Sequence, residues 1–245
     1  MMSCVIAHRG AAAEAPENCV EAFDLGLRLG ADAIELDVRR GADGVLWVVH
    51  DETLDRTTDG TGHIAELARA DVEAARMSTG ARIPELGDVL VRYPDVEITV
   101  DVKDTGAAGQ VVELIRALGR VESTILYAEE GTDISAFRDY EGRRATSTAQ
   151  ALRLALAPDW LAAAGPRDVP EVVHTPLEIR GVPIVTHAFV ERVRNSGRSI
   201  QVWTIDDADT AVRLAAWGAD GIITNDVRRL RALLDGTGTP GGAGS

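Results

Sequence analysis

The sequence predicts an α/β fold, a (β/α)₈ TIM barrel built as a single domain. Short apolar runs alternate with amphipathic segments along the chain, which is typical of strands and helices around a parallel sheet. Several of these apolar runs end in charged residues, as expected where barrel strands deliver side chains to an active-site face. The length of 245 residues also falls within the usual size of one such barrel.

Eight apolar runs are predicted to form the barrel strands, near Cys4 to Ala7, Ala33 to Val38, Ile98 to Val102, Thr124 to Tyr127, Arg144 to Ser147, Val172 to His174, Ile200 to Thr204 and Gly221 to Thr224. Helical periodicity is clearest in five segments, near Cys19 to Leu29, Ala107 to Leu118, Phe189 to Asn195, Ala208 to Trp217 and Val227 to Leu234. A further helix is predicted near Glu85 to Arg92. The stretch between Arg143 and Ile184 is rich in alanine and proline, so its pattern leaves the register of the fifth and sixth strands open.

Two segments depart from the alternation. Residues 51–80 form a connection far longer than the usual 2 to 6 residues, and we expect a small cap near the barrel mouth, inserted after the second strand. Residues 236–245 hold five glycines and are expected to form a flexible tail. The predicted domain therefore runs over residues 1–235.

Charge and composition exclude several classes of partner. The chain has 25 basic and 39 acidic residues, and a net charge of −14 disfavours nucleic acid and anionic membrane surfaces. No apolar run approaches the roughly 20 residues that span a bilayer. Without a recognisable secretory signal, and with Cys4 and Cys19 expected as small buried thiols, the sequence favours the cytoplasm. It does not indicate an oligomeric state.

Acidic pairs at two strand ends predict a metal site. Glu35 and Asp37 lie two apart on one predicted strand, so their side chains point to the same face. Asp101 and Lys103 repeat this spacing on the next barrel strand. Charged side chains inside a barrel need a partner or a metal ion, and carboxylates without thiols favour Mg²⁺ or Ca²⁺.

Charge and histidines together point to phosphodiester cleavage. The three carboxylates and the two bases Arg9 and Lys103 give the predicted site a net charge of −1. A divalent cation changes this charge to +1, and a phosphodiester then neutralises it. His8 and His50, each at the end of an apolar run, provide a general base and a general acid. Arg9 offers a planar fork for phosphate oxygens and Lys103 a point charge.

Other polar residues are interpreted as structural. A lone histidine at a strand end is usually a hydrogen-bonded structural residue, and this interpretation applies to His63, His174 and His187. Surface ion pairs are expected between Asp55 and Arg56 and between Asp207 and Arg213.

Five segments resemble the glycerophosphodiester phosphodiesterase family. They are AHRGAAAEAPENCVEAF from Ala7, GADAIELDVRRGADGVLWVVHDETLDRTTDGTG from Gly30, RIPELGDVL from Arg82, VWTIDD from Val202 and GADGIITND from Gly218. The resemblance extends from about residue 4 to 234 and is most specific over the first 90 residues. It implies a TIM barrel with a small insertion after the second strand, and an enzyme of glycerol and lipid metabolism.

The resemblance also implies roles for individual residues. It assigns the metal ligands to Glu35, Asp37 and Asp101, the catalytic pair to His8 and His50, the phosphate contacts to Arg9 and Lys103, and a supporting role to Glu17 and Asn18. By analogy with the related phospholipase C mechanism, His8 is the base and His50 the acid, an assignment that the sequence itself leaves open. Trp203 is either a wall of the substrate site or ordinary core packing. Asn18 is also a plausible helix N-cap.

Three departures from the family pattern concern substrate and metal preference. Asp101 stands where the family usually has glutamate, the fourth strand reads ILYAEE, and Asn225-Asp226 replaces the usual aspartate. The leading interpretation is a metal-dependent hydrolase that releases glycerol 3-phosphate and an alcohol from glycerophosphodiesters. The alternatives are a lysophospholipase D or sphingomyelinase D activity, which needs an apolar patch at the mouth, and a barrel that binds phosphate esters without turnover.

Overall fold

The computed structural model describes residues 3–128, 135–156 and 170–237. Its strands, in chain order, are β1 (Cys4–His8), β2 (Ala33–Arg40), β3 (Leu46–Val48), β4 (Glu97–Val102), β5 (Thr124–Ala128), β6 (Arg143–Arg144), β7 (Val172–Pro176), β8 (Glu178–Ile179), β9 (Val182–Pro183), β10 (Ser199–Trp203) and β11 (Gly221–Thr224). Eight of them pair in parallel in the order β6-β5-β4-β2-β1-β11-β10-β7. A parallel bridge from Ala145 to Val172 joins the two edges. The result is a nearly closed barrel, which confirms the predicted fold class.

Helices follow most barrel strands. In chain order, the described helices are α1 (Val20–Arg28), α2 (Arg69–Ala74), α3 (Leu86–Arg92), α4 (Ala108–Ala117), α5 (Thr148–Leu156), α6 (His187–Asn195), α7 (Ala208–Trp217) and α8 (Val227–Thr237), with short 3₁₀ helices at Val121–Ser123 and Ser135–Asp139. None of the helices in the described ranges is long and apolar enough to cross a membrane.

Strand alternation divides the barrel into an outer apolar layer and an inner layer that carries the site. Ile34, Leu36 and Val38 on β2 pack with residues of α3 and α4 in one large core cluster, as the spacing predicts. Between them, Glu35 and Asp37 point to the other face. Because β2 and β4 are in register, Asp37 lies beside Asp101 at the carboxyl ends of the strands.

The segment after β2 forms a compact unit of its own. β3 pairs antiparallel with β2, and the chain then returns through bridges between Thr53 and His63 and between Thr58 and Met77. Its buried residues form a separate apolar cluster with the start of α1, consisting of Cys19, Ala22, Trp47, Val49, Leu54, Ile64, Val72, Ala75, Met77, Ala81 and Ile83. The segment that carries His50 and Arg56 therefore has an apolar core of its own.

The fifth barrel strand differs from the prediction. β6 covers Arg143–Arg144, whereas Arg144 to Ser147 was expected. The reason is that Ser147 begins a helix instead: its hydroxyl accepts from Gln150 N at 3.3 Å, and the Gln150 side chain accepts from Ser147 N at 2.9 Å. This reciprocal arrangement is a capping box, and it starts α5.

The chain ends also bear on the sequence predictions. Helix α8 continues to Thr237, so the first two residues of the expected tail are helical, and residues 238–245 lie outside the described residues. The Glu129 and Glu130 end of ILYAEE lies outside them as well. Cys4 and Cys19 are both free thiols, with Cys19 buried and Cys4 partly so.

Candidate active site

A cavity of about 120 Å³ lies where the barrel strands end. The side chains that line it are His8, Arg9, Glu35, Asp37, His50, Asp101, Lys103, Tyr127, His174, Trp203 and Ile223. All eight residues predicted for the metal, the phosphate, the proton transfers and the substrate wall therefore face one space. The carboxyl ends of parallel strands meet at this edge, which is where barrel enzymes carry their active sites.

The three carboxylates form one cluster. Oxygen atoms of Glu35, Asp37 and Asp101 all lie within 4.8 Å of one another, and none of the three residues is more than 5% exposed. Burial, reinforced by the negative charges of Asp37 and Asp101, raises the pKa of Glu35 well above its usual value. Removal from water is the main cause of this shift, and the two neighbouring carboxylates add to it.

Two basic side chains lie against this cluster. Lys103 Nζ is 2.6 Å from Asp101 Oδ2 and 3.2 Å from Asp37 Oδ1. Arg9 Nε is 2.9 Å from Asp37 Oδ2. Although burial opposes it, the positive charges of Lys103 and Arg9 lower the pKa of Asp37. The positive charges are thus concentrated on Asp37 and Asp101, which leaves Glu35 as the least compensated carboxylate.

His8 is held in one tautomer by a chain of hydrogen bonds. Its Nδ1 lies 2.7 Å from Asn225 Oδ1, which only accepts, so Nδ1 carries the proton and Nε2 is left as an acceptor. The Asn225 amide is oriented in turn because its Nδ2 donates to Asp206 at 2.8 Å. Burial, together with the charge of Arg9, lowers the pKa of His8. Neutral His8 therefore presents a basic nitrogen, 3.9 Å from the carboxylate of Glu35.

His50 has a different partner. Its Nδ1 lies 2.7 Å from Asp51 Oδ1, and because a carboxylate oxygen only accepts, Nδ1 carries a proton. Hydrogen bonds from Arg56 hold the pKa of Asp51 well below its usual range. Asp51 is therefore ionised at neutral pH, and the two histidines differ in the charge of their partners.

Arg56 links the two sides of the site. It donates to Asp51 Oδ2 at 2.5 Å and to Glu17 Oε1 at 2.7 Å, and Glu17 also accepts from Arg9 Nη1 at 3.0 Å. One continuous network thus extends from His50 to Arg9. The sequence interpretation that Arg56 pairs with Asp55 at the surface is wrong, because Asp55 instead accepts from Gly62 N.

Asn18 hydrogen-bonds to the acidic cluster and does not cap the helix. The residue that precedes α1 is Cys19, which makes no side-chain cap. Asn18 has a left-handed backbone, with φ of 57°, and its Nδ2 donates to Asp37 Oδ2 at 2.8 Å while its Oδ1 accepts from Asp37 N. With this backbone conformation the side chain of Asn18 contacts Asp37 and not the start of the helix, so the N-cap interpretation is wrong.

Asp207 also differs from its expected role. It accepts from Thr210 N at 2.9 Å and so caps the first turn of α7. Arg213 donates to the Thr210 hydroxyl, where an ion pair with Asp207 was expected. The helix N-terminus offers an unpaired backbone N–H close by, which explains the preference of the carboxylate.

Sequence reasoning missed three residues of the cavity wall, Tyr127, His174 and the apolar Ile223. Tyr127 is paired in register with Asp101, and His174 with Gln201, so both point inward like the acidic pairs. Their rings pack together with centroids 4.4 Å apart. Side chains alternate along a strand, so alternation counted from Ile125 and Val172 would have placed both residues inside the barrel. Neither is a charged residue at the end of its predicted strand, and so neither was selected. His63 and His187, by contrast, are exposed and do not line the cavity.

The site agrees with what similarity to known proteins shows. A sequence profile described as the glycerophosphoryl diester phosphodiesterase family matches residues 8–229. The chain belongs to this family. A glycerophosphodiester phosphodiesterase from Caldanaerobacter subterraneus subsp. tengcongensis is 32% identical over 96% of this chain and 98% of its own length. A probable glycerophosphodiester phosphodiesterase 2 from Mycobacterium tuberculosis is 31% identical over 97% of this chain and 93% of its own.

Solved structures agree at the level of the whole fold. A crystal structure of glycerophosphodiester phosphodiesterase from Agrobacterium tumefaciens superimposes with a TM-score of 0.80 at 29% identity, covering 96% of this chain and 100% of that one. As a member of the glycerophosphoryl diester phosphodiesterase family, the chain is a phosphodiester hydrolase that cleaves glycerophosphodiesters to glycerol 3-phosphate and an alcohol. The buried acidic cluster is the place in the described residues where this family's metal dependence is met by suitable ligands.

Proposed function

We propose that Glu35, Asp37 and Asp101 hold a Mg²⁺ or Ca²⁺ ion, beside which His8 and His50 transfer protons during hydrolysis of a glycerophosphodiester with a small alcohol group. The observation that carries this proposal is the convergence of three buried carboxylates, within 4.8 Å of one another, in the same cavity as two imidazoles. Each part of the proposal has its own support in the geometry.

The donor set fits a hard divalent cation. All three candidate ligands are carboxylates. Mg²⁺ and Ca²⁺ prefer oxygen ligands of this kind, whereas zinc has no such preference. The three carboxylates outnumber the two bases beside them, Arg9 and Lys103, by one charge, which such a cation would compensate. When bound there, a divalent ion supplies Lewis-acid polarisation of a phosphoryl oxygen and charge for the anionic substrate.

Arg9 and Lys103 bind the phosphate in this proposal. Both line the cavity, and both already lie beside carboxylates, so they balance part of the cluster before substrate arrives. The planar guanidinium of Arg9 suits two phosphoryl oxygens at once, and Glu17 holds it in place through Nη1. The ammonium of Lys103 adds charge on the Asp101 side of the cavity.

The partners of the histidines support His8 as the base and His50 as the acid. His8 is neutral and its Nε2 is free of a proton, so it accepts the proton of the attacking hydroxyl. The Asp51 carboxylate orients the His50 ring through Nδ1, and in this proposal the ring donates a proton from Nε2 to the leaving alcohol oxygen. The attacking hydroxyl belongs either to the substrate, through a cyclic phosphate that is then hydrolysed, or to water.

A small polar substrate suits this cavity better than a lysolipid. The large apolar side chains that are exposed in the described residues are Val91, Leu118, Leu156 and Val182, and none of them lines the cavity. A lipid substrate needs a contiguous apolar surface at the entrance. We therefore propose glycerophosphocholine or glycerophosphoethanolamine as substrates.

A substrate panel tests this proposal. Release of glycerol 3-phosphate from glycerophosphocholine and glycerophosphoethanolamine is compared with choline release from lysophosphatidylcholine and sphingomyelin, each with Mg²⁺, Mn²⁺ or Ca²⁺. We expect turnover of the first two, and loss of at least about 10²-fold in kcat when His8 or His50 is replaced by alanine. Faster turnover of a lipid, or phosphate-ester binding with no product from any substrate, would contradict it.

A further inference from the structure

The lining of the cavity includes a buried histidine that no proton-transfer step uses. His174 is 4% exposed and lines the cavity. One face of its ring packs on Tyr127, with centroids 4.4 Å apart, and Trp203 lies 5.7 Å away. This wall is uncharged, whereas the rest of the lining is rich in ionised groups.

Gln201 fixes the tautomer of this histidine. The neighbouring strands β7 and β10 place Gln201 directly beside His174, and Gln201 Oε1 lies 3.5 Å from its Nδ1. Since an amide oxygen only accepts, Nδ1 carries the proton and Nε2 is left with a lone pair. Burial lowers the pKa of His174 to about 3, although the hydrogen bond with Gln201 opposes this shift, and the positive charge of Lys103 acts in the same direction as burial. The ring is therefore neutral at neutral pH.

A neutral acceptor on an aromatic wall is unsuited to phosphate and well suited to a hydroxyl. Phosphate oxygens are acceptors themselves, and the proposed function places them at the basic groups Arg9 and Lys103, which also line the cavity. An alcohol O–H donates to a lone pair, and the carbon atoms of a short polyol pack against aromatic faces. The cavity of about 120 Å³ holds only one half of the diester, and glyceryl is the half that all glycerophosphodiesters share.

We propose that His174, oriented by Gln201, accepts a hydrogen bond from a hydroxyl of the glyceryl group and is a specificity-determining residue of the site. The inference rests on the proposed placement of the phosphate at Arg9 and Lys103. It assigns a recognition role to a residue whose sequence pattern indicated only a structural one. His174 does not take part in the transfer of protons to or from the reacting oxygens.

Equilibrium binding tests this role without depending on turnover. Calorimetric titration with Mg²⁺ present compares sn-glycerol 3-phosphate with inorganic phosphate, which shares the charged group and lacks the polyol. His174→Phe keeps an aromatic ring and removes the acceptor. We expect about tenfold weaker binding of glycerol 3-phosphate and phosphate affinity within twofold of wild type.

Three further variants separate recognition from packing. His174→Gln keeps an acceptor at similar reach and should recover most of the lost affinity. Gln201→Leu removes the group that fixes the tautomer and should weaken glycerol 3-phosphate binding alone. His63→Phe, an exposed histidine outside the cavity, should bind both ligands like wild type.

Ligands that lack one hydroxyl identify the group that is bound. Propane-1,3-diol monophosphate and propane-1,2-diol 1-phosphate each lack a different hydroxyl of glycerol 3-phosphate. For one of the two, wild type and His174→Phe should bind equally, because the hydroxyl that His174 contacts is missing.

Two results would overturn the inference. One is a His174→Phe protein that retains full affinity for glycerol 3-phosphate. The other is equal loss of glycerol 3-phosphate and phosphate, which indicates a structural role. If His174→Phe does not fold, Gln201→Leu decides in the same way. A wild type that selects glycerol 3-phosphate over phosphate but releases no product would refute the proposed function and leave this inference standing.

Discussion

At the scale of single residues, the chemistry of each histidine depends on the partner of its Nδ1 atom. His8 faces an amide oxygen and His50 a carboxylate, so the two rings have partners of different charge. The sequence shows the two histidines but not these partners, since Asn225 is 217 positions from His8. Only the closing of the barrel brings β11 beside β1.

Replacing Asn225 by aspartate should change the pH dependence of the reaction. A carboxylate 2.7 Å from Nδ1 would favour the protonated ring and raise the pKa of His8. Because the base must be unprotonated, the acid side of the kcat/KM profile should move to higher pH. Asn195→Asp, an exposed site at the end of α6, is the matched control. An unchanged acid limb would argue against His8 as the base.

His174 should also influence stability in acid. Its pKa is lowered from 6.5 to about 3 on folding, so its contribution is present above pH 6.5 and is lost as the pH falls from there toward 3. Relative to His174→Gln, the free energy of unfolding of wild type should fall by up to ~1.4 kcal/mol per pH unit between pH 6 and 4. Urea unfolding at several pH values measures this difference. Parallel curves for the two proteins would contradict a buried neutral ring.

At the scale of elements, most strands and helices were predictable and the region around β6 was not. β11 and α7 have the predicted bounds. The apolar run of β11 begins at Gly221, and the helical pattern of α7 lies between its N-cap Asp207 and Gly218. α5 was missed although Ser147 and Gln150 form a capping box, since alanine repeats hide its apolar face. The small hairpin of β8 and β9 is only two residues per strand, too short for any pattern to indicate.

The segment after β2 contributes to catalysis through Arg56. Replacing Arg56 by methionine keeps the length of the side chain and breaks its links to Asp51 and Glu17. We expect kcat to fall roughly 10- to 100-fold, because supporting groups of this kind orient the residues that react. The comparison variant is Arg69→Met, whose ion pairs with Glu73 and Glu85 lie outside the cavity. Equal activity of the two variants would show that Arg56 does not support catalysis.

Arg120 has a purely structural role at the other end of the barrel. It is 6% exposed and donates to the carbonyl oxygens of Leu90, Tyr93 and Val96, around the end of α3. Arg120→Met should leave these buried acceptors without donors and lower the free energy of unfolding by about 3 kcal/mol. The activity of the folded fraction should not change. Chemical denaturation together with an assay below the transition checks both statements.

At the scale of the whole molecule, the barrel concentrates charge at one end. The chain has a net charge of −14, yet three of its carboxylates are buried together at the strand ends. The fold class, the acidic cluster and the paired histidines follow from the sequence because strand spacing and strand ends are local signals. Strand register, which no local sequence pattern encodes, determines the distances between the acidic cluster and the histidines. It also determines the network through Arg56 and the wall formed by Tyr127 and His174.

Binding of a divalent ion should stabilise the whole barrel. The three ligands come from β2 and β4, and a ligand that binds only the folded state stabilises it by mass action. At 100 times its dissociation constant, the ion should add about 2.7 kcal/mol to the free energy of unfolding. Thermal melting with a chelator and after return of Mg²⁺ or Ca²⁺ measures this effect. Identical melting curves would indicate that the cluster binds no ion at these concentrations.

Titration of the chelated protein with Mn²⁺, followed by the electron paramagnetic resonance of the free ion, tests the central claim most directly. Wild type should bind one ion per chain at the cluster. Asp101→Asn, which removes one charge with little change of shape, should weaken this binding at least about 100-fold, whereas the exposed Asp95→Asn should bind like wild type. Equal affinity of wild type and Asp101→Asn, or no binding by wild type at millimolar Mn²⁺, would contradict a metal site formed by Glu35, Asp37 and Asp101.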